Sequence, residues 1–157
     1  MHLVFKQRLF SWLDSYDIYD ESGQTVYTVK GQLSWGHRLH VLDAAGNHIA
    51  TLQERILSFL PKFELYVGEQ YVGCIRKEFT FLRPRFTVDC NGWDIEGEIF
   101  EWDYRIVDPR GSLIAKVSKE LMHLTDTYMI DVGNRQNALL VLLVVLAIDA
   151  EKCSRND

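Results

Sequence analysis

"QNALLVLLVVLAIDAEK" occupies residues 136–152, and Ala138 to Ile148 are apolar without interruption. Arg135, Gln136 and Asn137 precede this run, and Asp149, Glu151 and Lys152 follow it. A membrane-spanning helix needs about 20 consecutive apolar residues to cross roughly 30 Å of hydrocarbon. Eleven are too few. A buried strand is the other use of a short apolar run, but Ala and Leu make up most of it and Asn134 is placed to cap a helix. A helix over residues 135–152 would be about 27 Å long. Apolar on every side, it must be enclosed on every side.

The remainder of the chain has to supply that enclosure. At 157 residues, 47% apolar and 25% charged, the composition is that of one globular domain, 1–157, with a sizeable core. The net charge of −5 argues against general nucleic-acid binding, which leaves a basic footprint. Cys74, Cys90 and Cys153 are odd in number, widely spaced and without a CxxC pair, as expected of free thiols in a reducing compartment. The opening "MHLVFKQRLFSW" lacks the apolar stretch of a signal peptide. A cytoplasmic protein is expected.

Four segments repeat one pattern, Asp-x-x-Gly followed three residues later by Val or Ile: "DESGQTV" at 20–26, "DAAGNHI" at 43–49, "DCNGWDI" at 89–95 and "DPRGSLI" at 108–114. Asp suits the first position of a type I turn, and Gly supplies the left-handed residue that closes a short hairpin. A larger regularity lies behind the turns. Residues 39–67 align without a gap with residues 104–132 at an offset of 65, and Gly31 corresponds to Gly97 at an offset of 66. Two similar β-halves are predicted.

Alternation and turn signals together predict twelve strands, near 3–9, 14–19, 25–30, 36–42, 48–53, 63–67, 70–76, 85–89, 93–99, 102–107, 113–118 and 126–132. A barrel of eight strands is filled by its own side chains, whereas a larger one must contain something. The expected fold is therefore a mainly β, twelve-stranded antiparallel barrel around an apolar C-terminal helix. An eleven-stranded can with a central helix is a known precedent.

The ordered set "YTVKGQL", "HVLDAAGNHIATLQERILSFLPKFELYV", "FTFLRPRFTVDCNGWDIEGEIF", "YRIVDPRGSLIAKVSKE", "DTYMIDV" and "VVLAID" resembles the LURP-one-related family, within the Tubby C-terminal-like superfamily. The resemblance runs from about Leu3 to Glu151. It implies the same twelve-stranded barrel and central helix. Tubby-like domains bind membrane phosphoinositides, related scramblases act on phospholipids, and most LURP-one-related proteins have no established activity. The tubby lipid-binding residues match no individual positions here, so the resemblance assigns no site.

Chemical motifs are sparse. "HRLH" at 37–40 has helical metal-site spacing but lies on a predicted strand, where positions i and i+3 face opposite ways. Surface or hairpin histidines, and no metal site, are expected. Asp94, Glu96 and Glu98 alternate with Ile95 and Gly97, which is the period of a strand with one solvated face. Neither a GxSxG elbow nor a glycine-rich phosphate loop occurs, and no catalytic residue or cofactor is implied. Cys74 and Cys90 read as small core residues. Trp12, Trp35, Trp93 and Trp102 read as packing residues rather than a base-stacking platform.

One patch stands out. "IRKEFTFLRPRF" at 75–86 carries Arg76, Lys77, Arg83 and Arg85 against Glu78 alone. Pro84 steers Arg83 away from helix, so Arg83 and Arg85 are expected to extend and point the same way. Guanidinium groups on one face suit phosphate. A solvated strand pair and loop rim is the plainer account, and the sequence favours it. The leading functional expectation is a non-enzymatic cytoplasmic binding or scaffold protein. The alternative is a peripheral membrane protein that binds anionic phospholipid (phosphoinositide) head groups through Arg76, Lys77, Arg83 and Arg85, or a scramblase-like lipid protein.

Overall fold

In the computed structural model the described residues are 1–6, 15–34, 36–56, 59–60, 62–78, 85–122 and 125–155, with the side chains of 6, 33–34, 121–122, 125–126 and 152–155 excepted. Twelve strands close on themselves: β1 (His2–Lys6), β2 (Ser15–Tyr19), β3 (Thr25–Ser34), β4 (Gly36–Asp43), β5 (His48–Arg55), β6 (Lys62–Val67), β7 (Gln70–Glu78), β8 (Arg85–Asp89), β9 (Asp94–Glu98), β10 (Asp103–Val107), β11 (Leu113–Met122) and β12 (Thr125–Val132). Neighbours in sequence are neighbours in the barrel, and β1 pairs with β12 to close it. All the pairings are antiparallel. Alternate residues point inward, as in Leu39 and Val41 of β4 or Ala50 and Leu52 of β5, and these are at most 1% exposed.

The lumen holds helix α1 (Ala138–Arg155). Val141 to Ile148 are all at 0% exposure, so the wall surrounds every face of that stretch. The helix begins later than 135 because residues 135–137 form a 3-10 turn, with the Asn134 side chain accepting from Gln136 N at 3.0 Å. None of the helices among the described residues is long and apolar enough to cross a membrane. Trp102, expected to open a strand, instead takes a left-handed conformation after a 3-10 turn at Ile99–Glu101. Its ring packs against Phe5 and Tyr128 in the core.

The predicted internal repeat is physically present. Val41 pairs with Ala50 and Ile106 with Ala115; Ala50 pairs with Val67 and Ala115 with Val132. Both hairpins carry an irregularity one residue later, at Val41/Leu42 and at Ile106/Val107. In each turn the Asp Oδ1 accepts two backbone N–H bonds: Ala45 and Asn47 onto Asp43, Arg110 and Ser112 onto Asp108. Asp20 does the same for Ser22 and Gln24. The segment at 89–95 departs from the expectation. Asn91 and Gly92 both have positive φ and form a two-residue turn closed by Trp93 N donating to Cys90 O at 3.2 Å. Asn-Gly is the better chemistry for that tight turn, and Asp89 is left to pair with Arg76 instead.

Candidate functional site

The β7–β8 hairpin carries the patch expected to hold anionic ligands. Its register sets Arg76 opposite Thr87, Lys77 opposite Phe86 and Glu78 opposite Arg85. Strand alternation sends Arg76, Glu78, Arg85 and Thr87 to the outer face and Lys77 inward. Arg76 is 56% exposed, lies 3.6 Å from Asp89 and donates from Nε to Cys74 Sγ at 3.4 Å. Arg85 is 61% exposed and 3.5 Å from Glu78, whose carboxylate also accepts from the Thr87 hydroxyl. Lys77 turns away from both, with Nζ donating to Glu151 Oε1 near the end of α1. Arg83 lies outside the described residues.

A groove of about 450 Å³ runs along this hairpin, lined by Leu60, Arg76, Lys77, Glu78, Thr87, Val88 and Asp89. Each described cation of the patch therefore has a carboxylate partner, a feature that cross-strand register creates and local sequence does not display. Exposed pairs of this kind contribute little to stability, so an anionic group can compete for either guanidinium. Cys74, expected as a core residue, is buried but on this outer face, beneath Arg76 and beside Tyr71. Its thiol, then the partial desolvation of Tyr71 itself, pushes the Tyr71 phenol up to about 12.

A second polar surface spans β3 to β6. Register aligns Lys30, His40, Thr51 and Tyr66 in one row and Gln32, Arg38, Gln53 and Glu64 in the next. Arg38 Nε donates to Gln53, and both Arg55 Nη2 and the Tyr66 hydroxyl donate to Glu64 Oε2, at 2.7 and 2.6 Å. The Arg55 guanidinium, then Tyr66, holds the Glu64 carboxyl below its ordinary value, against the opposing effect of burial. A groove of about 290 Å³ here is lined by Arg38, His40, His48, Thr51, Gln53, Arg55, Tyr66, Gly68 and Glu69.

Local sequence does not display this surface: "HRLH" sets His37 near His40 and gives no sign of His48. The first two do face opposite ways: His37 pairs with Glu54 at 2.6 Å, while His40 meets His48 across the hairpin at 3.0 Å. The available signal was the alternation of polar residues in "RLHVL" and "IATLQER", combined with the turn between them. Among the described residues, no group of three or more His, Cys, Asp and Glu converges as a metal cluster.

A family model described as LURP-one-related matches residues 1–149. The chain is 26% identical over 150 residues to the uncharacterized protein YxjI of Bacillus subtilis (strain 168), spanning 95% of this chain and 92% of that one. The X-ray structure of a protein from Arabidopsis thaliana is similar at a TM-score of 0.64 and 15% identity, covering 96% of this chain and 91% of that one. At that identity the likeness is one of fold.

Proposed function

The chain belongs to the LURP-one-related family, and on that premise we propose that it is a non-enzymatic cytoplasmic binding or scaffold protein that engages its ligand through the outer wall of the barrel. The filling of the lumen by α1 carries this reading, since Val141 to Ile148 have no exposed surface. A ligand entering the barrel would have to displace the core itself. The two grooves described above both open on the outside of the wall. Chemical-shift mapping with soluble inositol phosphates and with inorganic phosphate tests the proposal. Shifts confined to outward-facing residues of β7 and β8 support it, and displaced amide signals across Val141–Ile148 would overturn it.

A specific observation favours a lipid surface as the second reading. Phe59 is 98% exposed and Ile56 61%, and Leu60 of the same loop lines the groove with Arg76. Apolar side chains beside exposed guanidinium groups suit an interface with anionic head groups. The net charge of −5 opposes non-specific attraction, so a local site must supply the affinity. Vesicles containing phosphoinositide should then sediment the protein in a salt-sensitive manner, and the double substitution Arg76→Ala, Arg85→Ala should abolish that. Equal sedimentation with neutral and anionic vesicles, or none, would remove the lipid reading and leave the scaffold reading standing.

A further inference from the structure

We propose that His40 and His48 form a binding site for a divalent transition-metal ion of the zinc class, held by His40 Nδ1 and His48 Nε2 with Thr51 Oγ1 beside them. The two nitrogens are 3.0 Å apart. Two imidazoles on one tetrahedral ion, each bonded at about 2.0–2.1 Å, bring their ligating nitrogens to about 3.3 Å, so a separation of a few tenths of an ångström completes the geometry. The ring centroids are 4.6 Å apart with planes at 78°, so the rings meet at an angle across the hairpin. Thr51 Oγ1 lies 2.7 Å from His48 Nε2 and 3.5 Å from His40 Nδ1, on the same spot from a third direction.

The surrounding residues prepare these nitrogens. His40 Nε2–H donates to Gln32 Oε1, which leaves the lone pair on Nδ1. A hydrogen bond on the far nitrogen is the usual device that orients a metal-binding imidazole. His48 Nε2 then carries the proton, with the Ala50 carbonyl 2.9 Å away among its acceptors. On metal binding that proton moves to Nδ1 of the same ring, so the neutral pair takes up the ion without net proton release. Arg38 and Arg55 line the groove and oppose a cation, but Arg55 is engaged by Glu64, and Glu69 brings a carboxylate to the same wall. Water completes the coordination, and imidazole ligands favour zinc, copper and nickel over magnesium or calcium.

Calorimetric titration of the full chain with zinc chloride near pH 7.5, well above the ordinary histidine value, tests the site. One zinc ion per chain is expected, with affinity falling by more than about tenfold in His40→Ala and in His48→Ala. Gln32→Ala should cost about tenfold by freeing the His40 ring. His37→Ala and His2→Ala should bind as the wild type does. In the unaltered protein, zinc should shift the ring resonances of His40 and His48 and leave those of His37 in place. Wild-type affinity in both single variants, or no saturable binding up to about 1 mM zinc, would overturn the proposal. So would ring shifts at His37 in place of His40 and His48.

Discussion

Lys77 Nζ and Glu151 Oε1 are 3.0 Å apart across 74 residues of sequence, with side chains only 10% and 4% exposed. The pair joins the inward face of β7 to the last turns of α1, where the helix stops being apolar. Asp149 lies in the same region, 7% exposed. Beside it the enclosed Tyr104 phenol is pushed far up from its ordinary value, by burial first and then by the Asp149 charge.

Removing one member of a buried pair costs more than the pair contributes, because the remaining charge loses its compensation. Lys77→Ala should therefore destabilise the protein by about 3 kcal/mol. The double replacement Lys77→Met, Glu151→Leu should recover most of that loss. Urea denaturation of the single and double variants measures it, and a near-neutral Lys77→Ala would show the pair to be solvated.

The buried stretch of α1 makes a sharper demand. Leu142 is at 0% exposure inside the barrel. Leu142→Ala should cost about 2–5 kcal/mol through lost contacts and a cavity. Leu142→Asp forces an unpaired carboxylate into apolar surroundings, a cost of several kcal/mol that should unfold the protein. Truncation after Asn134 should do the same by emptying the lumen. Soluble, monodisperse Leu142→Asp protein with an unchanged melting temperature would refute the central-helix architecture.

The barrel was legible because its determinants are local or periodic. The apolar run at 138–148, the alternation of Leu39, Val41, Ala50 and Leu52, and the Asp43 and Asp108 turns each declare themselves in sequence. Even the register of the two hairpins follows from the offset of 65, since identical turns feed strands of identical inward pattern. Side-chain partnership is a different matter. Lys77 looks like one more cation beside Arg76 until the position of Glu151 is known, and His40 looks isolated until the hairpin brings His48 across to it. Such pairs depend on register and on the depth of the helix, which no short window of residues records.

Glycine positions separate packing from turn chemistry. Gly97 has φ +116, and a Cβ there would lie 2.6 Å from Asp103 O and 3.0 Å from Tyr104 Cα. Its inward-facing neighbour Tyr104 occupies the volume a side chain would need. Gly97→Ala should cost more than the 1–3 kcal/mol or so of backbone strain alone. Gly46, in the Asp43 turn, has φ +86 with nothing within 4 Å, so Gly46→Ala should cost only about 1–2 kcal/mol. Equal denaturation midpoints for the two variants would contradict this packing.

The acid response of His40 follows from the same hairpin. Burial first, then His48 and Arg38, lower its proton affinity below the ordinary 6.5. The folded chain thus binds fewer protons at this ring than the unfolded chain does as pH drops through 6.5. The neutral ring's contribution to stability is therefore present above that pH, declines as pH falls through it, and stops declining below the folded value. His48→Gln removes the neighbouring positive charge and leaves the burial. The His40 titration should move up toward 6.5 in that variant without passing it. Ring-proton titration by NMR measures both values, and a wild-type His40 that titrates at or above 6.5 would show that burial and the neighbouring charges do not oppose its protonation.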